Sequence, residues 1–186
     1  MGMVVVVVFF ENMYIPHYIS LNFFFFRRYG QSKFVAEELV RRFSLSRIVR
    51  LPFVSFSRKS GISNPKDWVT LIAQSCIQLQ RFPLSFRPVE AVECDKITLD
   101  PDALYSLWSL DVFLRQVAEV EGFEKHGVSI HDFCLAIQSV DCPATPIARM
   151  IANQQRESIF LAGGRYLAYS KAEVEENVEF IKRSKM

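Results

Sequence analysis

The chain has 186 residues, half of them hydrophobic and 23% charged, with a formal net charge of +2. That length supports one domain with a real core, and the composition is ordinary for a soluble globular protein. The small net charge, and Lys and Arg scattered apart from short pairs such as Arg27-Arg28, Arg41-Arg42 and Lys182-Arg183, exclude a nucleic-acid-binding stripe or another polyanion surface.

The N-terminus is biased. Val4 to Val8 and Phe9-Phe10 form one apolar run, and Phe23 to Phe26 form another. Neither approaches the roughly 20 apolar residues of a membrane-spanning helix. A basic start and a small-residue cleavage site are missing, so no signal peptide is read, and Val6 breaks the myristoylation pattern after Gly2. Val4 to Phe10 suits a buried parallel strand, but no glycine follows until Gly30. A dinucleotide-binding first strand needs a Gly-rich turn. The Val and Phe runs fit translated intron sequence better, since Phe codons are pyrimidine-rich, so residues 1–28 are read as an unmatched low-complexity leader.

Gln31 to Phe43 sets Phe34, Val35, Leu39, Val40 and Phe43 at helical spacing against Glu37, Glu38, Arg41 and Arg42. Arg47 to Phe56 reads as one buried strand. If the leader supplies no proper neighbour, Ile48 to Val54 is left alone with an aggregation-prone edge. Ser57 to Pro65 is a polar loop, and Lys66 to Leu79 is an amphipathic helix carrying Trp68. Pro83 to Pro88 is a linker, and Val89 to Val92 a short strand or a helix start. Asp100-Pro101-Asp102 is a turn, and Leu104 to Leu110 a strand.

Asp111 is placed as the N-cap of a helix over Val112 to Val120, stopped at Gly122. Ser129 caps Ile130 to Ser139, with Asp132 at the third position. Another helix covers about Ile147 to Arg156, Gly163-Gly164 is a turn, and Ser170 caps Lys171 to Lys182 with Glu173 at the third position. The charges of Glu37-Glu38 and Glu173-Glu175-Glu176 read as solvated helix faces.

Cys76, Cys94, Cys134 and Cys142 form no Cys-x-x-Cys pair, so they read as reduced, mostly buried thiols of an intracellular protein. His126 and His131 are five apart, wrong for two ligands on one helix face, and no metal site is predicted. Cys134, three after His131, is read as a core thiol.

Chemistry concentrates at Tyr29 and Lys33, four apart and so one turn apart on a helix face. A Lys ammonium beside a phenol favours the phenolate and lowers the Tyr pKa from about 10. Such a Tyr passes a proton to a carbonyl oxygen near neutral pH. On spacing alone, two surface side chains at a helix start are the better explanation, because such pairs are common.

The run Tyr29-Gly30-Gln31-Ser32-Lys33-Phe34-Val35-Ala36-Glu37 is close to the Tyr-Gly-Gln-Ser-Lys-Trp-x-Ala-Glu of thioester reductase domains. These are the terminal reductases of nonribosomal peptide synthetases, carboxylic acid reductases and synthetase-like proteins, within the extended short-chain dehydrogenase/reductase superfamily. Gly61 to Trp68 is similar to the family's Gly-x-Trp-Asn-x-x-Asp/Glu-Trp segment, and Pro88-Val89-Glu90 to its Pro-Val-Asp. Gly127-Val128-Ser129 followed by Phe133 resembles its small C-terminal helical part. The match is good over about 29–80 and loose over 88–186. The chain departs from the pattern at Pro52 and Phe56, where the family has Gly, and at Ser63, where it has Trp.

The resemblance implies an α/β fold, the C-terminal fragment of an extended NAD(P)-binding Rossmann domain with a mostly helical substrate subdomain. Residues 29–60 would be the catalytic helix and following strand, and 61–186 the substrate- and carrier-facing part. It implies Tyr29 and Lys33 as catalytic residues, Lys33 also on the nicotinamide ribose, Asn64 and Trp68 at the substrate, and NADPH as cofactor. The partner would be an acyl or peptidyl carrier protein presenting a thioester, in the cytoplasm, with no nucleic acid and no membrane involved. The family's phosphate loop and catalytic Ser or Thr would precede Tyr29 and are missing, so the expectation is a truncated product, inactive alone. Two alternatives stand beside it: a non-enzymatic remnant that at most binds a carrier protein, and an extended reductase or epimerase of another branch.

Overall fold

A computed structural model describes residues 4–9, 28–42, 46–51, 53–86, 89–96, 106–153 and 166–184. The turns expected at Asp100 to Asp102 and at Gly163-Gly164 lie outside these residues. The first elements make a strand–helix–strand unit: β1 (Val4–Phe9), α1 (Arg28–Arg41) and β2 (Ser46–Leu51). β1 and β2 pair in parallel over their whole length, from Val4 opposite Ser46 to Phe9 opposite Leu51. A continuous β-branched run is what a parallel strand demands, and the Val-rich leader supplies it. Ile48 to Leu51 therefore has a neighbour, contrary to the lone strand expected from sequence.

The strand expected over Arg47 to Phe56 is two strands. β2 ends at Leu51, and β3 (Phe53–Ser55) belongs to a different sheet. Pro52 lies between them and has no N–H to donate to a ladder. β3 opens a four-stranded sheet with β5 (Val89–Glu93), β6 (Ser106–Trp108) and β8 (Tyr166–Leu167), in the order β3-β5-β6-β8. β3 and β5 are parallel, β5 and β6 antiparallel, β6 and β8 parallel. The linker expected from Pro83 begins inside a short strand, β4 (Phe82–Pro83), which pairs in parallel with β7 (Gly127–Val128).

Five helices follow α1: α2 (Trp68–Leu79), α3 (Leu110–Glu121), α4 (Ile130–Val140), α5 (Ala148–Asn153) and α6 (Lys171–Arg183). Their ends follow local chemistry. Asp67 caps α2, its carboxylate accepting the Val69 N–H at 3.1 Å. Ser129 caps α4 through the Asp132 N–H, and Ser170 and Glu173 form a full reciprocal box at α6. Gly122 ends α3 in the left-handed conformation at φ 80°. The cap of α3 is Ser109, not Asp111, which sits inside the first turn and favours the helix dipole there. The helix expected from Ile147 begins as a tight turn at Thr145–Ile147 and continues as α5.

One hydrophobic cluster runs from Phe53 to Ile181. Trp108 is its centre: Phe53 stacks on the indole at 5.8 Å, and Phe113 and Tyr169 lean on it at 4.9 and 5.7 Å. Such aromatic pairs add about 0.5–1.5 kcal/mol each beyond area burial. α1 departs from its predicted amphipathic orientation. Val35 and Leu39 are more than half exposed, whereas Glu37 is buried.

Phe113→Ala is expected to cost about 3–5 kcal/mol in urea unfolding, because its ring also touches Phe56 and Tyr169. Val112→Ala, at an exposed neighbouring position, is expected to stay within about 0.5 kcal/mol. Equal effects from the two variants would remove Phe113 from the core.

Candidate functional site

Tyr29 and Lys33 both fall within α1, the crossover helix between the parallel strands β1 and β2. Four positions apart in a continuous helix, they occupy one face, one turn along the axis. Later in the same helix Arg41 pairs with Glu38 and, at 3.4 Å, with Glu37. Glu37, 5% exposed at its side chain, is thus a buried ion-pair partner and not part of a solvated face.

The segment from Ser57 to Trp68 is a folded loop. Ser57 N–H donates to the Ile62 carbonyl and Gly61 N–H to the Ser57 carbonyl, both at 2.9 Å. Asn64 is exposed, and its side-chain oxygen accepts the Lys66 N–H at 3.0 Å, closing a local turn. Trp68 is buried, edge-on to Phe53 at 5.6 Å, and its indole N–H has no acceptor among the described residues. The structure does not bring Asn64 and Trp68 together by any contact between them. Asn64 serves the loop and Trp68 the core.

The densest polar constellation centres on Arg58, which the sequence did not single out. Its guanidinium bonds Glu93, both carboxylate oxygens of Glu173 at 3.0 and 3.2 Å, and the Ala168 carbonyl at 2.7 Å. It also lies 5.2 Å from the centre of the Tyr169 ring. Burial works against its charge, but the hydrogen bonds to Glu93 and Glu173 outweigh that and raise its pKa. Beside it, Asp95 accepts from the Ser57 hydroxyl at 2.9 Å and from the Arg58 N–H at 2.7 Å. The Ser57 bond, ahead of the backbone ones, lowers the Asp95 pKa.

This constellation holds structure together and carries no acid–base chemistry. Asp95 with a lowered pKa is a poor base. Burial pushes the Tyr169 phenol well above its ordinary value, and it donates to the Ser55 hydroxyl at 2.8 Å and the Phe56 carbonyl at 3.1 Å. A proton-donating phenol near neutral pH needs the opposite shift, so Tyr169 does not stand in for Tyr29. His131 is exposed, and the Cys134 thiol faces the Ala148 carbonyl at 3.6 Å, so these two make no thiol–imidazole pair. Cys76, Cys94, Cys134 and Cys142 are all free. Among the described residues no three His, Cys, Asp or Glu side chains gather as a metal site, and no helix is long and apolar enough to cross a membrane.

Three similarities bear on this geometry. Residues 20–101 match the NAD-binding family described as male sterility protein. Over 61 residues the chain is 41% identical to the nonribosomal peptide synthetase inpA of Emericella nidulans, a stretch covering 30% of this chain and 4% of that protein. In fold it superposes on a thiolation-reductase di-domain from an archaeal non-ribosomal peptide synthetase, with a TM-score of 0.60 at 11% identity. These similarities support a thioester reductase-like domain of the extended short-chain dehydrogenase/reductase superfamily. The superposition covers 86% of this chain and 41% of the di-domain chain, so the α/β architecture is that of a partial Rossmann-like unit with helices following. The chain spans 4% of the synthetase and 41% of the di-domain chain that it matches.

The family implies a nicotinamide cofactor. The residues between β1 and α1 do not suit its pyrophosphate. A Rossmann turn needs glycine for the tight bend and for close backbone approach, and positions 10–27 contain none.

The Arg58 hub gives a pH signature. Burial opposes the charge of Glu173, but hydrogen bonds from the Ser170 N–H and hydroxyl and from Arg58 prevail and lower its pKa. A lowered folded-state pKa contributes stability above the ordinary carboxylate range, lost as pH falls through the folded value. Glu173→Gln is therefore expected to flatten the acid limb of melting temperature against pH. Arg58→Met, which removes the guanidinium from the buried Glu93 carboxylate, is expected to cost about 3 kcal/mol in urea unfolding.

Proposed function

We propose that the chain carries the catalytic helix and the substrate-side part of a carrier-linked thioester reductase, and that it does not reduce substrate by itself. The observation carrying this reading is the run Tyr29 to Glu37 on the crossover helix of a parallel strand pair. The match to a synthetase supports the same reading. In it, Tyr29 stabilises and protonates the oxygen of an acyl thioester as charge develops there, and Lys33, one turn on, lowers the phenol's pKa.

NADPH is the expected nicotinamide donor, and Lys33 would meet its ribose. Because the segment between β1 and α1 does not suit a pyrophosphate, no reduction step is assigned to the chain alone. Asn64 and Trp68 remain candidate substrate contacts on resemblance, although the observed roles of both are in the loop and the core. The acyl group would arrive on the phosphopantetheine arm of a carrier protein, as the thiolation domain attached to the structural relative suggests. The product is an aldehyde, or an alcohol after a second reduction.

Two measurements test this. NADPH fluorescence titrated with the purified chain is expected to show no saturable change, and saturation would overturn the inactivity. A chimera placing a relative's nucleotide-binding segment before Tyr29 is expected to oxidise NADPH with an acyl-pantetheine thioester and not with a nucleotide sugar. In that chimera Tyr29→Phe should lower kcat by about 10²–10⁴-fold. Turnover of the sugar instead would assign the chain to another reductase branch.

A further inference from the structure

An open groove of about 580 Å³ runs between the Ser60 to Ile62 loop and one face of α6. Its apolar floor is Ile62, Ala172 and Phe180, and its wall is Glu175, Glu176 and Glu179. Ile62 is 54% exposed and so open to a partner at the groove's rim.

The groove is preformed. Gly61 sits at φ 64°, where a Cβ would lie 2.8 Å from the Glu176 carbonyl carbon, so the loop rests directly on the helix backbone. The Ser57 and Gly61 backbone bonds fix the loop's shape, and the Arg58 pair with Glu173 ties its start to the first turn of α6. Neither wall can drift without breaking these contacts.

The groove's charge is mainly acidic, with Glu175, Glu176 and Glu179 set against Arg183, which also lines it. Glu179 is shared by Lys182 at 3.9 Å and Arg183 at 3.6 Å. Glu175 and Glu176 have no ion-pair partner among the described residues. Ala172, Glu176 and Phe180 follow one another at single-turn spacing, and so do Glu175 and Glu179. The face thus sets Ala172 and Phe180 on either side of Glu176, beside a second acidic line of Glu175 and Glu179, with a repeat of about 5.4 Å.

We propose that this groove docks a basic amphipathic helix of a partner polypeptide. The partner would lay an apolar ridge over Ile62 and Phe180 and set lysines or arginines, one turn apart, against Glu175, Glu176 and Glu179. An acidic helix would meet two unneutralised carboxylates and is rejected. The occupant is recognised as helix-in-groove docking, by anchors at single-turn intervals. The inference stands apart from the reductase reading, since it uses no residue of α1.

The test uses the full chain and a fluorescein-labelled leucine–lysine amphipathic peptide, read by anisotropy. Binding is expected to saturate and to weaken as salt rises. The double variant Glu175→Gln with Glu176→Gln should weaken it by about fivefold to tenfold. Ile62→Ser should weaken it by about fivefold, and Leu135→Ser, exposed on α4 outside the groove, should leave it unchanged. All three variants replace exposed side chains, and circular dichroism checks that each folds. Equal binding of a leucine–glutamate peptide, or indifference to the two glutamine substitutions, would overturn the proposal. So would concentration-dependent self-association in sedimentation that Ile62→Ser abolishes, since the occupant would then be a second copy of the chain.

Discussion

The Arg58 guanidinium is the joint on which the described fold turns. It reaches Glu93 at the end of β5, Glu173 in the first turn of α6 and the Ala168 carbonyl just before that helix. Three segments far apart in sequence meet at one planar, always-charged group, whose fork geometry satisfies several acceptors at once. Glu93 is 2% exposed at its side chain. A carboxylate so buried is tolerated only with a cation beside it. The loop start, the end of β5 and the last helix are therefore fixed together or not at all.

Around that joint an aromatic cluster packs within the hydrophobic core. Tyr169 belongs to both systems. Its ring packs on Trp108 and Phe113, its face lies under Arg58, and its hydroxyl satisfies Ser55 and Phe56 in β3 and just beyond. The core runs without interruption from Phe53 to Ile181. The strand carrying Phe53 and the helices after it therefore stand as one packed body.

What the sequence revealed divides by distance along the chain. The caps at Ser129 and Ser170 and the stop at Gly122 were legible, because each depends on residues within three or four positions. The Tyr29 to Lys33 spacing was legible for the same reason. The parallel pairing of β1 with β2 was half-legible: the Val run signalled a buried parallel strand, but its partner lies about 40 residues on. The break between β2 and β3 was written in Pro52 and overridden by the apolar pattern on either side. The Arg58 hub left no local trace, since its carboxylate partners lie 35 and 115 positions away. Glu173 was read as a solvated charge because only tertiary structure brings Arg58 to it.

The α1 helix shows why pattern alone misplaces a face. Its sequence offers two stripes, one apolar and one charged, and periodicity assigns the apolar stripe inward. In the structure Glu37 is buried and paired with Arg41, while Val35 and Leu39 stand exposed. An inward carboxylate needs a fixed cation, and Arg41 at one-turn spacing provides it within the helix. The orientation of a crossover helix is set by the strands it joins and by whatever packs on its outer side. Val35 and Leu39, one turn apart, stand exposed on the helix that also carries Tyr29 and Lys33. Within the described part of α1 the charged Glu37, paired with Arg41, thus takes the inward place, and Val35 and Leu39 face outward.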